Sequence, residues 1–148
     1  MALRSVTHED CRLVDFQVLA DTRGSLSVAE TQRHVPFGIE RIFIVSGVDA
    51  GTARGGHAHK RQQQMLICTS GAVEVRADNG SETMTVVLDT PARGLYIPPM
   101  IWAEQTYLSE GSVLTVLCDD HYDEDDYLRD RDAFARYLAD VLKGKTET

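Results

Sequence analysis

The sequence predicts an all-β fold, an antiparallel sandwich or barrel of short strands followed by a single α-helix. Two observations carry this. Apolar, β-branched runs of strand length recur through the middle of the chain with turn residues between them, and near the C-terminus the apolar period changes from two to about 3.6.

The runs are Ile39–Val45, Gln64–Cys68, Val73–Ala77, Met84–Leu88, Leu95–Ile97 and Val113–Cys118. Asp78-Asn79-Gly80 between two of them is a hairpin signal, because Asn and Gly accept the positive φ that a tight reversal needs. Asp49-Ala50-Gly51 and Glu110-Gly111 mark further reversals, so the strands are expected to pair antiparallel. Phe134, Tyr137, Leu138, Val141 and Leu142 then fall at helical spacing with charges between them. That pattern predicts one amphipathic helix starting at Asp130 or Asp132 and ending near Gly144, with Lys145 to Thr148 as a frayed tail.

With 148 residues, 43 % of them hydrophobic and 26 % charged, the chain suits one globular domain over residues 1–148. The net charge of −8 argues against a non-specific grip on nucleic acid, which needs clustered Lys and Arg. A small anionic ligand stays compatible with it, since a few local arginines suffice to hold one. Cys11, Cys68 and Cys118 are widely spaced and odd in number, so reduced thiols are expected rather than disulfides. No stretch approaches the roughly 18 apolar residues of a membrane span, and no apolar segment follows the charges of the opening MALRSVTHED. A cytoplasmic protein with no membrane partner is expected.

The chemistry concentrates in Gly51-Thr52-Ala53-Arg54-Gly55-Gly56-His57-Ala58-His59, followed by Gln64 and Gly71. A His-x-His pair on a strand places both imidazoles on one face and Ala58 on the other, because side chains alternate along a strand. Two inward rings beside glycines and Arg54 are poor material for plain packing, so a shared cavity is expected. This frame, with Gln64 in place of an acid, resembles the first cupin motif, and the resemblance implies a cupin jelly-roll antiparallel β-barrel. Pro98-Pro99-Met100-Ile101-Trp102-Ala103 stands where the second cupin motif, Pro-x-Gly-x-x-His, would supply a third histidine. With Gln64 and Ala103 at two of the usual ligand positions, no metal and no other cofactor is expected. His34 and His121 lack motif spacing.

Further strings narrow the resemblance. Asp21-x-Arg23-Gly24-Ser25-Leu26, Pro36-Phe37-x-Ile39-x-Arg41, Arg54-Gly55-x-His57-Ala58-His59-Lys60, Gly94-Leu95-Tyr96-Ile97 and His121-Tyr122-Asp123-Glu124-x-Asp126-Tyr127 are similar to the sugar 3,4-ketoisomerases, which include the WxcM-like proteins. The similarity implies a dTDP-linked 4-keto-6-deoxy sugar as substrate, with the ketone moved from C4 to C3 and His57 and His59 as the catalytic pair. A hydrogen beside a ketone is weakly acidic, so an imidazole can take the C3 proton and return one to C4 through an enediol without a redox cofactor. Which ring is the base stays open at this point.

Around the pair, Arg54 and Lys60 are expected to stabilise negative charge on the enediolate or the diphosphate. Arg23 and Arg41 are expected either at the diphosphate or in surface ion pairs. Tyr96, Trp102 and Tyr107 offer ring faces to the sugar or thymine, or else anchor the core. Gln64 is expected to hold a sugar hydroxyl or orient a histidine. The acidic run Asp123 to Asp126 reads as a solvated helix start. Ala103 and Phe43-Ile44 depart from some relatives, which leaves the configuration at C4 open.

The similarity also implies a homodimer with exchanged N-terminal strands, which would cover the open edges of a small barrel. The alternatives are a non-catalytic sugar-nucleotide-binding cupin, a metal-dependent cupin enzyme and a sugar 3,5-epimerase.

Overall fold

Alternation of inward and outward side chains builds two facing sheets in the computed structural model, which describes residues 11–146. In chain order the strands are β1 (Arg12–Asp15), β2 (Gln17–Asp21), β3 (Gly24–Val28), β4 (Arg41–Val45), β5 (Ala53–His59), β6 (Gln64–Ser70), β7 (Val73–Asp78), β8 (Thr83–Leu88), β9 (Arg93–Ile97), β10 (Trp102–Tyr107), β11 (Val113–Cys118) and β12 (Tyr127–Leu128). A 3-10 turn at Glu124–Asp126 precedes β12, and helix α1 spans Arg131–Thr146. One five-stranded sheet has the order β1-β9-β6-β11-β4 and the other β12-β5-β10-β7-β8. Their strand pairs are antiparallel, and neighbours in each sheet are mostly distant in sequence, as a jelly roll requires.

The inner faces share one core, with Leu66, Leu95, Leu114 and Val116 from the first sheet meeting Val73, Val75, Ala77 and Tyr107 from the second. Each large aliphatic buried there contributes about 1.5–3 kcal/mol, so this layer holds the frame. Two outer clusters complete it. Val35, Phe37, Met65, Tyr96 and Leu117 pack together on the back of the first sheet. Ala58, Met100, Trp102 and Leu128 on the back of the second are covered by Phe134 and Leu138 of α1.

The six apolar runs are all strands, with β4 beginning at Arg41 rather than Ile39. In the β7–β8 hairpin the Asn79 side-chain oxygen accepts from the Ser81 and Glu82 N–H groups at 2.9 and 2.8 Å, and Gly80 takes a φ of 100°. Strands β1, β2, β3, β10 and β12 were not among the expected runs, and β5 was expected only through its His-x-His pair; β10 has three consecutive polar residues, Glu104 to Thr106, and β2 and β3 are exposed along most of their length. The helix continues through Thr146 instead of ending near Gly144, because Gly144 does not adopt the positive φ that would terminate it. The remainder of the expected C-terminal tail and the N-terminal decapeptide lie outside the described residues. Among the described residues, no helix is long and apolar enough to cross a membrane.

Phe134 seats α1 on Trp102, with ring centroids 5.9 Å apart. Phe134→Ala is expected to destabilise the fold by about 3–5 kcal/mol in urea unfolding. Because Trp102 is the only tryptophan, the same variant should shift the native fluorescence to the red.

Candidate active site

Strand β5 carries the two histidines into the sandwich, and its approach is irregular. Gly55 and Gly56 have φ values of 87° and 78°, and the register against β10 shifts between Ala103 and Glu104. A bulge of this kind re-aims side chains. Here Arg54, Gly55 and His57 all line one cavity of about 100 Å³. Its other polar lining groups are Gln64, Gln105 and Tyr107, and its walls are apolar, with Phe43, Val45, Leu66, Leu114 and Val116.

The His57 and His59 rings stand edge to face with centroids 5.0 Å apart. They have different surroundings. His59 is only 6 % exposed and does not line the cavity. Its Nδ1 lies 3.0 Å from Oδ2 of Asp126, itself 3 % exposed, and its Nε2 lies 3.3 Å from the Gln64 side-chain nitrogen. An amide nitrogen only donates, so the neutral ring must carry its hydrogen on Nδ1, donate to the carboxylate and accept at Nε2. The Gln64 nitrogen also donates to Gln62 Oε1 at 2.9 Å, which accepts from Arg41 Nη2 at 3.0 Å. One polar chain therefore runs from Asp126 to Arg41.

Burial drives the His57 pKa down to about 4, helped by the His59 and Arg129 charges and opposed by Glu124. Burial also lowers His59, but Asp126 opposes it through the hydrogen bond and its charge. The Tyr127 ring packs against both imidazoles, 5.0 Å from His57 and 4.4 Å from His59. Arg129 stacks on that ring at 4.2 Å and pairs with Glu124 at 2.7 Å, and Glu124 also accepts from the Tyr122 hydroxyl.

Of the residues singled out in the sequence, His57, Arg54, Gln64 and Tyr107 line the cavity, and His59 adjoins it through Gln64. Arg41 reaches the same network through Gln62, and among the described residues its buried Nε makes no hydrogen bond. Tyr96, Trp102 and Lys60 are not brought to the cavity, and strand alternation is the reason. With Leu95 and Ile97 in the inner core, Tyr96 points outward, where its hydroxyl donates to Gln63. With Ala103 inward, Trp102 lies under α1 and donates to Glu104. Lys60 leaves β5 on the helix side, with Nζ over the Tyr137 ring at 5.3 Å. Arg23 sits in the reversal between β2 and β3, exposed and paired to Asp21 at 2.6 Å.

The reading of Asp123 to Asp126 as a solvated helix start needs correction. Asp123 does cap the 3-10 turn, but that turn drives Asp126 inward to His59. Asp126, Tyr127, Gln62 and Gln105 went unassigned in the sequence. Only the resemblance of the Tyr122–Tyr127 string pointed at the first two, whereas the period-two spacing of Ala103, Gln105 and Tyr107 could have flagged Gln105.

The residues do not fit the metal that cupins commonly hold. Gln64 presents a donor to His59 where an acid would present an acceptor, and Ala103 has no ligand atom. Among the described residues, no group of three or more His, Cys, Asp or Glu side chains could hold a metal ion.

A family model described as FdtA, WxcM-like, C-terminal, matches residues 9–139. The chain belongs to the WxcM-like family. It is a sugar 3,4-ketoisomerase, as the members it matches are. It is 38 % identical over 130 residues to the TDP-4-oxo-6-deoxy-α-D-glucose 3,4-oxoisomerase of Aneurinibacillus thermoaerophilus, covering 88 % of this chain and 94 % of that protein. The ketoisomerase QdtA of Thermoanaerobacterium thermosaccharolyticum, solved with TDP, superposes with a TM-score of 0.85 at 36 % identity, covering 89 % of this chain and 96 % of that one. A histidine-to-asparagine variant of QdtA, 36 % identical and covering 88 % of this chain and 95 % of that one at a TM-score of 0.85, was solved with TDP-4-keto-6-deoxyglucose. A dTDP-4-dehydrorhamnose 3,5-epimerase from Bacillus anthracis shares the fold, with a TM-score of 0.72 at 18 % identity over 80 % of this chain and 77 % of that one.

In this WxcM-like protein, Asp126→Ala would strand the buried His59 Nδ1–H and the partly buried Arg61 backbone N–H that bonds Oδ1 at 2.7 Å. At about 1–3 kcal/mol per stranded group, a loss of about 2–5 kcal/mol is expected in urea unfolding. Nitrogen NMR of the unmutated protein at neutral pH should find His59 as the Nδ1–H tautomer; an Nε2–H signal would contradict the hydrogen-bond assignment.

Proposed function

We propose that this chain converts TDP-4-keto-6-deoxyglucose into its 3-keto isomer, with His57 as the base, through an enediol and without a metal. The single observation that carries this reading is His57 itself, an imidazole on the wall of a small cavity whose burial keeps it neutral at physiological pH. The ligands of QdtA and the named substrate of the Aneurinibacillus relative supply the substrate class.

The assignment of roles follows from the two environments. His57 faces the cavity, whereas the Nε2 of His59 is occupied by Gln64. The C3–H bond breaks toward His57, and its electron pair forms the C3–C4 double bond as the C4 oxygen becomes an oxyanion. Return of that proton from His57 to C4, with passage of the C3 hydroxyl proton to the C4 oxygen, leaves the ketone at C3 and a hydroxyl at C4. An imidazolium with a pKa of about 4 is a strong acid, so it readily returns the proton it took. His59, held by Asp126 and Gln64 at its two nitrogens, stands edge to face beside His57 and positions that ring. Arg54 is the cation on the cavity wall suited to the diphosphate or the oxyanion.

We also propose a cytoplasmic homodimer. Three buried cysteines kept as thiols support a reducing compartment. Among the described residues, strands β2 and β3 pair only with each other and expose Leu19 at 54 % and Leu26 at 59 %, while β4 stands at a sheet edge and exposes Ile42 at 57 % and Ile44 at 62 %. A lone two-stranded ribbon is marginal in water, and a second copy exchanging it would cover these groups. Light scattering should then give twice the chain mass of 16.4 kDa, and a strict monomer would contradict it.

The activity is tested by following exchange of the C3 hydrogen of TDP-4-keto-6-deoxyglucose with solvent deuterium, and by NMR of the product. Exchange is expected with the unmutated protein, and His57→Asn should slow it by about 10²–10⁴-fold. Protonation disables the base, so kcat/KM should fall on the acid side with a midpoint at about pH 4, well below the ordinary imidazole value of 6.5. No exchange above the blank would defeat the reading.

A further inference from the structure

Strand β10 brings a second polar group into the cavity, one that the proton transfer does not use. Ala103, Gln105 and Tyr107 lie at period two on its inner side, and Gln105 and Tyr107 line the same cavity as His57. In the register with β5, Ala103 lies opposite His57 and Gln105 opposite Arg54. Gln105 is therefore one pleat away from His57 along the strand, in the direction of Arg54. Arg54 is exposed while it lines the cavity, so the cavity reaches solvent beside it.

Gln64, the other amide in the lining, has its nitrogen committed to His59 and Gln62. Among the described residues, the Gln105 carboxamide and the Tyr107 hydroxyl make no hydrogen bond. Gly55 completes the arrangement. A Cβ at that position would come within 2.5 Å of the Gln105 side-chain oxygen, so the carboxamide keeps its place only against bare backbone. The glycine also takes a φ of 87°, so any other residue would meet strain there as well.

We infer that Gln105, assisted by Tyr107, is a specificity-determining residue that hydrogen-bonds the C2 hydroxyl of the hexose. The inference rests on the ketoisomerase reading above. In a nucleotide-linked hexose, C1 carries the diphosphate, C3 and C4 react, and C2 lies between them. With C3 at His57 and the diphosphate at Arg54, the hydroxyl that meets the intervening wall is that of C2. A hydroxyl both donates and accepts, and so do a carboxamide and a phenol. The neighbouring walls, Phe43, Val45 and Leu114, offer it no other partner. A sugar lacking this hydroxyl would leave the half-buried amide and the buried phenol unpaired in the complex, which is how a site rejects an analogue.

The test compares turnover of TDP-4-keto-6-deoxyglucose with that of its 2-deoxy analogue in the unmutated protein, Gln105→Met and Tyr107→Phe, with TDP affinity measured by calorimetry. The unmutated protein should favour the 2-hydroxy substrate in kcat/KM by about tenfold or more. Gln105→Met should erase most of that preference by slowing the 2-hydroxy substrate alone, Tyr107→Phe should reduce it in part, and TDP affinity should not change. A preference that survives Gln105→Met overturns the inference. Equal losses on both substrates, or weakened TDP binding, overturn it too, since they indicate a structural role or a contact to the nucleotide. Absence of turnover in the unmutated protein removes the ketoisomerase reading and this inference together, whereas turnover with an unaltered preference removes this inference alone.

Discussion

The bond between His59 and Asp126 is the interaction on which the arrangement of the site depends. The partners are 67 residues apart in sequence, and their meeting fixes the C-terminal segment across β5. Beside it, the Lys60 N–H donates to the Asp126 carbonyl at 2.9 Å, and β12 pairs Tyr127 with His59 and Leu128 with Ala58. The same few residues of β5 thus bind the segment on both faces. The inner face uses a buried carboxylate and an imidazole, and the outer face uses Ala58, Leu128 and the apolar side of α1. A buried carboxylate without partners would cost several kcal/mol in lost hydration. Asp126 instead accepts from the His59 ring through one oxygen and from the Arg61 N–H through the other, so its burial adds order to the site.

That order separates two chemically identical rings. His57 has the apolar cavity walls on one side, the His59 and Tyr127 rings on the other, and, among the described residues, no carboxylate hydrogen-bonded to it. Burial consequently dominates and keeps it uncharged. His59 has a carboxylate at bonding distance, which opposes the effect of burial. Two imidazoles with equal environments would compete for one proton, and the charge on either would suppress the other. Unequal environments leave the cavity-facing nitrogen available while the buried ring keeps a defined tautomer.

The frame of this site was legible in the sequence because its rules are local. Alternation around Ala58 put His57 and His59 on one face, and the turn residues at Asp78 to Gly80 placed a hairpin where β7 meets β8. What escaped depends on contacts between distant segments. Asp126 stands in a run of acidic residues indistinguishable by composition from a solvated one, and only the 3-10 turn decides that it points inward. Tyr96 and Trp102 are of the right types for a ligand site, yet each is one residue out of phase with the inward positions on its own strand, and Lys60 lies just past the end of β5 with its amine over Tyr137 of α1. Arg54 is the opposite case. Strict alternation from His57 would turn it outward, and the bulge at Gly55 and Gly56 returns it to the cavity.

Gln64 shows how a single change of side chain redirects an old frame. A carboxylate at that position would accept where the amide donates, drawing the His59 hydrogen to Nε2 in competition with Asp126 and adding the negative charge that holds a cation. The amide removes that charge and offers its nitrogen to Nε2, which leaves Nδ1–H directed at Asp126 as the consistent arrangement. Its nitrogen also donates to Gln62, whose oxygen receives Arg41, so the place of a metal ligand is taken by a hydrogen-bond chain that ends on a permanent cation. Ala103, opposite His57 in the sheet, leaves room beside that ring instead of a third imidazole. Loss of the ligand set and definition of the tautomer thus both follow from one side chain, the Gln64 amide.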